Sequence, residues 1–278
     1  MWFVNRTLGW IFDLVVLPFR SLPAIVGLTV ISLVVSVAIL LGFRAVSDQS
    51  ALDTVKRHIH AGVYEIRLFK DDLPTILSAQ LGILRSTGRY FRLSMVPMLW
   101  MMIPIVIIVI QLQFQYGYAS LEPGVSTLVM AELTEEGASR VTEANGEGVD
   151  LEAPPGVRVE TQPVWVPSLR EVGWRIAAVE PGEYELVVHA AGESATKSVR
   201  VAGSTELRSP VRPSGLLEQI IYPAEAPLPS GSIFESIRVD YVDGDVNLLG
   251  WDTHWIIVFF ILTMVFGFAL AKPLGIEI

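Results

Sequence analysis

Residues 24–43, AIVGLTVISLVVSVAILLGF, run for 20 positions without a charged side chain. At about 1.5 Å per helical residue such a run matches a hydrocarbon core of about 30 Å, so a membrane solvent is the first constraint on the fold. Two more uncharged runs repeat it, LSMVPMLWMMIPIVIIVIQL at 93–112 and THWIIVFFILTMVFGFALA at 253–271. Pro97 and Pro104 interrupt the second, which is tolerable where neighbouring helices satisfy the freed carbonyls. The first run is longer than a signal-peptide core and no small-x-small cleavage site follows it, so it is expected to be retained. The sequence therefore predicts three transmembrane spans, at 24–43, 93–112 and 253–271. A mean hydropathy of +0.50 with 18% charged residues means that these spans alternate with ordinary globular sequence.

Orientation follows from Lys and Arg in short connections. Segment 44–92 carries eight (Arg44, Lys56, Arg57, Arg67, Lys70, Arg85, Arg89 and Arg92), against Arg6 and Arg20 in residues 1–23. The 44–92 segment is thereby expected in the cytosol with the 272–278 tail, and the N-terminus and residues 113–252 outside. The expected location is a multi-pass plasma membrane, of the bacterial inner-membrane kind with a periplasmic domain. The net charge of −9 is concentrated in 113–252, and no cluster of cations there suits nucleic acid. Cysteine is absent, so neither disulfides nor thiolate metal sites are available.

Residues 1–23 place Asn5, Gly9 and Asp13 on one helical stripe among apolar neighbours, which suits an interfacial amphipathic helix carrying Trp2 and Trp10. An extended lead-in to the first span is the alternative. In 44–92, Leu52, Val55, Ile59, Gly62, Ile66 and Phe69 repeat at coiled-coil spacing, as do Leu77, Leu81, Leu84, Gly88 and Phe91. Asp71, Asp72 and Pro74 between them predict a helix start and a chain reversal, hence an antiparallel hairpin with both seams buried. Trp251 and Trp255 stand as interface anchors at one end of the third span, and Arg44 and Arg92 at the cytosolic ends of the first two.

The long 113–252 segment reads as strands. Thr127, Val129, Ala131 and Leu133 alternate, followed by Val157 and Val159, by Tyr184, Leu186 and Val188, and by Val199 and Val201. An all-β, immunoglobulin-like sandwich is expected over about 120–205, with Tyr184 in a tyrosine-corner position and a turn at Ala191-Gly192-Glu193. A linker with a short packed element and a last strand, 233–242, fill 206–252. Asp243-Gly244-Asp245 reads as a tight turn that lacks the further ligands of a calcium loop.

No nucleophile elbow, zinc-protease motif or phosphate loop occurs, and His58 and His60 lie two residues apart on a helix, facing different ways. No catalytic residue, metal or cofactor is expected, and the chain is read as a non-enzyme. Two intramembrane patterns remain. Met95, Met98 and Met102 share a helix face, and flexible thioethers suit a surface that accepts varied apolar partners. Thr29, Ser32 and Ser36 form a hydroxyl stripe that faces either a polar groove or a neighbouring helix. Lipid-facing methionine and hydroxyls bonded back to their own helix are the plainer readings.

The order of parts resembles the core of the YidC family of membrane protein insertases: an outer amphipathic helix, a span, a basic cytosolic coiled-coil hairpin and a proline-bearing span. VPMLWMMIPIVI at 96–107 is similar to the family's Pro-to-Pro run in its second core span. The likeness covers 1–112 and 253–271 and leaves 113–252 outside it. It implies a divergent three-span relative in which client transmembrane segments slide along an intramembrane groove built here from Thr29, Ser32, Ser36, Met95, Met98 and Met102. It further implies that the hairpin, through Lys56, Arg57, Arg67, Lys70, Arg85 and Arg89, contacts clients or the ribosome. Bacterial members carry an arginine inside the first core span, whereas Arg44 stands at its end. The expected partners are thus the lipid bilayer, client membrane proteins and an exoplasmic protein. The alternative function is a non-catalytic membrane-anchored scaffold whose outer sandwich binds another protein.

Overall fold

The computed structural model describes residues 17–19, 22–69, 71–202, 207–248 and 250–276, without the side chain of Leu216. The expected interfacial helix, with Trp2 and Trp10, and Lys70 lie outside the described residues. The chain divides into a helical unit, residues 28–108 with 259–278, and a β-rich unit, residues 1–27 with 109–258.

A short 3-10 turn, Leu17–Phe19, precedes three helices: α1, Ala24–Val46; α2, Gln49–Leu68; and α3, Leu73–Tyr116. Asp48 caps α2, its carboxylate accepting from the Ala51 N–H at 3.0 Å, and that bond holds the carboxyl below its ordinary range. The reversal predicted at 71–74 is present: the Asp72 carbonyl accepts from the Ile76 N–H at 3.0 Å and its carboxylate from the Thr75 hydroxyl, with Pro74 in the first turn. Beyond it the helix does not stop. The second arm of the hairpin and the second apolar run form one 44-residue helix that carries Pro97 and Pro104 in its interior, where separate elements were expected. Between Phe91 and Ser94 no turn residue or cap intervenes, so nothing local ends the helix. Helices α1 and α3 are long and apolar enough to cross a membrane.

The hairpin seam is half as expected. On α2, Leu52, Val55 and Gly62 are buried. On α3 the expected set faces away: Leu77, Leu81, Leu84 and Phe91 are 59–69% exposed, and Ala79 is buried in their place. Gly62 explains the choice of face. A Cβ there would stand 2.7 Å from Ile83 Cγ1, so the helices approach closest where α2 has no side chain and α3 offers Ala79 and Ile83.

The β-rich unit contains β1, Ser126–Leu133; α4, Glu135–Glu143; β2, Asp150–Glu152; β3, Val157–Val159; β4, Val164–Val166; β5, Glu171–Ala178; β6, Gly182–Ala190; and β7, Glu193–Val201. After these come β8, Val211–Pro213; α5, Leu216–Ile221; β9, Phe234–Val239; β10, Asp245–Leu248; and β11, Trp251–His254, which leads into α6, Trp255–Ala271. One antiparallel sheet runs β3-β5-β1-β9-β8 with β4 also on β5, another runs β2-β6-β7, and β10 pairs with β11. Alternation along β1 buries Thr127, Val129, Ala131 and Leu133, as the period-two pattern requires. These meet Trp174, Phe234 and Ile237 of the same sheet and Leu186, Val188 and Val199 of the other in one core. The sheets thus form a sandwich-like β domain.

Its boundary differs from expectation. β8 and β9 belong to the larger sheet, so 207–239 is part of the domain and not a linker, because Phe234, Ile237 and Val239 supply core that the earlier strands lack. α4 was not expected; Thr134, whose hydroxyl accepts from the Gly137 N–H at 3.2 Å, and Glu135-Glu136 after it are the signal that marks its start. Residues 113–116 belong to α3, and 253–254 to β11. The Asp243-Gly244 segment is no free turn: Asp243 bridges Tyr118, and the Gly244 N–H donates to the Gly117 carbonyl at 3.0 Å.

Candidate functional site

Within the helical unit, α1 and α3 frame a concavity of about 320 Å³. From α1 come Ile39, Leu40 and Phe43. From α3 come Tyr90, Ser94, Met98, Met101 and Ile105, which recur at intervals of 4, 4, 3 and 4 and therefore stack on one face. Gly42 lets the helices close on one side: a Cβ there would lie 2.7 Å from the Met101 methyl carbon. The lining is almost wholly apolar, with Tyr90 and Ser94 as polar groups at one end and Lys56 Nζ 5.8 Å from the Tyr90 ring centroid. Its volume falls at the lower end of ligand-sized cavities, about 300–1,000 Å³, enough for bulky apolar side chains and too small for a folded partner.

Of the six residues expected in a groove, Met98 lines this concavity. Met102 is exposed and Met95 half-buried, and neither borders it. The residues missed were Tyr90, Ser94, Met101 and Ile105 on α3 and Ile39 and Phe43 on α1; the 90-94-98-101-105 spacing was the available signal, obscured by the denser methionine pattern one residue away.

The hydroxyl stripe does something else. Ser32 and Ser36 are fully buried, and the Ser36 hydroxyl donates to the Ser32 carbonyl at 2.6 Å and lies 3.1 Å from the Thr263 carbonyl of α6. These serines are not groove lining: they follow the two alternatives for the stripe, Ser36 bonding back to its own helix and meeting a neighbouring one, and their small size lets α1 and α6 approach. Thr29 is half-buried. Leu40 and Ala271 extend the same packing, and Arg44 Nη1 donates to the Leu274 carbonyl at 3.2 Å.

Among the other expected residues, Arg67, Arg85, Arg89 and Arg92 are exposed, and Arg57 pairs with Asp53 at 2.7 Å. Trp251, expected as an interface anchor, is 80% exposed. Trp255 is not one: it is fully buried, and its Nε1–H donates to Gln113 Oε1 at 2.9 Å, so its polar edge is satisfied inside the protein. Among the described residues no cluster of His, Asp and Glu could hold a metal ion. Comparison with protein-family models, curated proteins and solved structures finds no match.

Proposed function

We propose that this chain is a membrane chaperone of the YidC-like insertase type, which holds an apolar segment of a client protein against the concavity between α1 and α3. The observation that carries the reading is the concavity itself: an apolar, thioether-lined depression between two helices of membrane-crossing length, at which Met98 stays 64% exposed. Methionine side chains adapt to clients of different shape, and partitioning of the client's own apolar segment supplies the driving force. In this reading α1, residues 93–112 of α3, and α6 are the three spans. The basic hairpin lies in the cytosol within reach of clients or ribosomes, and the β domain lies outside, in a bacterial periplasm. We also read the β domain as immunoglobulin-like, because the Tyr184 hydroxyl donates to the Glu180 carbonyl at 3.0 Å in the manner of a tyrosine corner.

The burial of Ser32 and Ser36 against α6 favours a second reading, a scaffold whose helices pack mainly to anchor the β domain to an exoplasmic partner. Photo-crosslinking separates the two. A crosslinker at Met98 or Met101 is expected to capture nascent membrane proteins in translating membranes, and one at Val34, exposed on α1 away from the concavity, far less. Equal capture at all three positions, or none, would leave the scaffold reading standing.

A further inference from the structure

The first half of α3 carries an apolar stripe that the hairpin leaves uncovered. Leu73, Leu77, Leu81, Leu84 and Phe91 are 59–71% exposed, and from Leu77 onward they follow the heptad intervals 4, 3, 4 and 3 when Gly88 is counted in its place. Leu73 to Phe91 extends over about 27 Å of helix at 1.5 Å per residue, and the same stretch bears Gln80, Arg85 and Arg89, too polar for hydrocarbon. A leucine stripe of this length standing in water marks a contact surface. At Gly88 a Cβ would meet nothing within 4 Å, so a gap opens between Leu84 and Phe91 that an inserted side chain from another helix would fill.

Charge decides the occupant. By helical phase Arg85, Arg89 and Arg92 fall along one edge of the stripe, and the opposite edge carries Gln80 and Thr87. All three arginines are exposed, and no Asp or Glu occurs anywhere in α3. A second copy of this stripe would bring no carboxylate to any of them, whereas an amphipathic helix with acidic flanks supplies both leucine-type knobs and counter-charges.

We infer that the outward face of α3 over residues 73–92 is a docking site for an acidic amphipathic helix of another protein. The inference rests on this face alone and stands whether or not the α1–α3 concavity receives clients. The test uses the full chain in nanodiscs of zwitterionic lipid and two labelled peptides of about three heptads, both with Leu at the a and d positions, one with Glu and the other with Lys at e and g. The acidic peptide is expected to bind at least about tenfold more tightly than its basic twin. Leu77→Glu with Leu81→Glu abolishes that binding, and Arg85→Glu with Arg89→Glu reverses the preference toward the basic peptide. These side chains are exposed, so the helix persists, which circular dichroism checks. Equal binding of the two peptides would overturn the inference. So would efficient disulfide formation between copies through Leu81→Cys, which assigns the stripe to self-association, or lipid quenching of a fluorophore at that position, which assigns it to the bilayer.

Discussion

Lys197 lies wholly inside the β domain, its Nζ 2.6 Å from Glu225 Oε2 and 2.7 Å from the Ser209 carbonyl. Glu225 also accepts from the Ser198 N–H at 3.0 Å and the Ser209 hydroxyl at 2.9 Å. Burial works to raise the Glu225 carboxyl, but the Lys197 ammonium and these hydrogen bonds outweigh it and hold the group below the ordinary carboxylate range. Burial pulls the Lys197 ammonium downward too, with Glu225 opposing it. Removing one partner strands a buried charge, so Lys197→Met is expected to cost about 3–5 kcal/mol in denaturant unfolding, and adding Glu225→Gln to recover most of the loss. A depressed carboxyl contributes stability that is complete above its unfolded-state pKa, about 4.3, and is lost as pH falls through the lower folded value. The acid limb of β-domain stability is therefore expected to flatten in Glu225→Gln; identical acid limbs in the two proteins would remove the pair as its cause. In the β6–β7 hairpin Ala191 and Gly192 both have positive φ, 47° and 81°, a backbone that suits Asn-Gly. Ala191→Asn should stabilise the domain by about 0.5–1 kcal/mol, read as a rise in thermal midpoint.

Between elements, the closest approach of α2 to α3 depends on Gly62. Gly62→Leu is expected to push the arms apart at a cost of about 1–3 kcal/mol, seen as a broadened distance between spin labels at Glu65 and Gln80. Gly82→Leu, whose Cβ meets nothing within 4 Å, should leave that distance unchanged. The same pair shows what the sequence could tell. Apolar spacing located α2, the first half of α3 and the reversal between them, because period and capping are local properties. It could not say which of two apolar faces of α3 meets α2, since the Leu77 stripe and the Ala79-Ile83 face both have helical period and the choice turns on a glycine in the other helix. In the β domain, long alternating runs such as 126–133 and 182–190 were legible, whereas β4 and β8, three residues each, are strands only because β5 and β9 lie beside them. At the concavity Met98 was found and Met101 missed for a similar reason: four methionines in eight residues mark a helix as adaptable without saying which side another helix occupies.

At the scale of the whole molecule, the two ends of the main body of the β domain meet at one isolated bridge. Tyr118 bridges Asp243, and the Ala119 N–H donates to the Val242 carbonyl at 2.8 Å, so the chain leaves and returns at adjacent points. Residues 120–241 can therefore be replaced by a short Gly-Asn turn without stretching the ends. The Gln113–Trp255 hydrogen bond involves neither end of the excised segment and survives the excision. Phe114, buried in the intact protein with Tyr118 and Tyr222 for neighbours, would lose part of its cover, so the excised protein carries Phe114→Ser as well. If client holding resides between α1 and α3, crosslinking from Met98 should stay within about twofold of the intact protein, because none of the concavity's lining comes from 120–241. If the helices serve only as an anchor, the excised protein loses every function while remaining in the membrane. A protein that folds, inserts and yet no longer crosslinks from Met98 would show that the β domain is needed to present clients to the concavity, and would remove the helical unit as an autonomous chaperone.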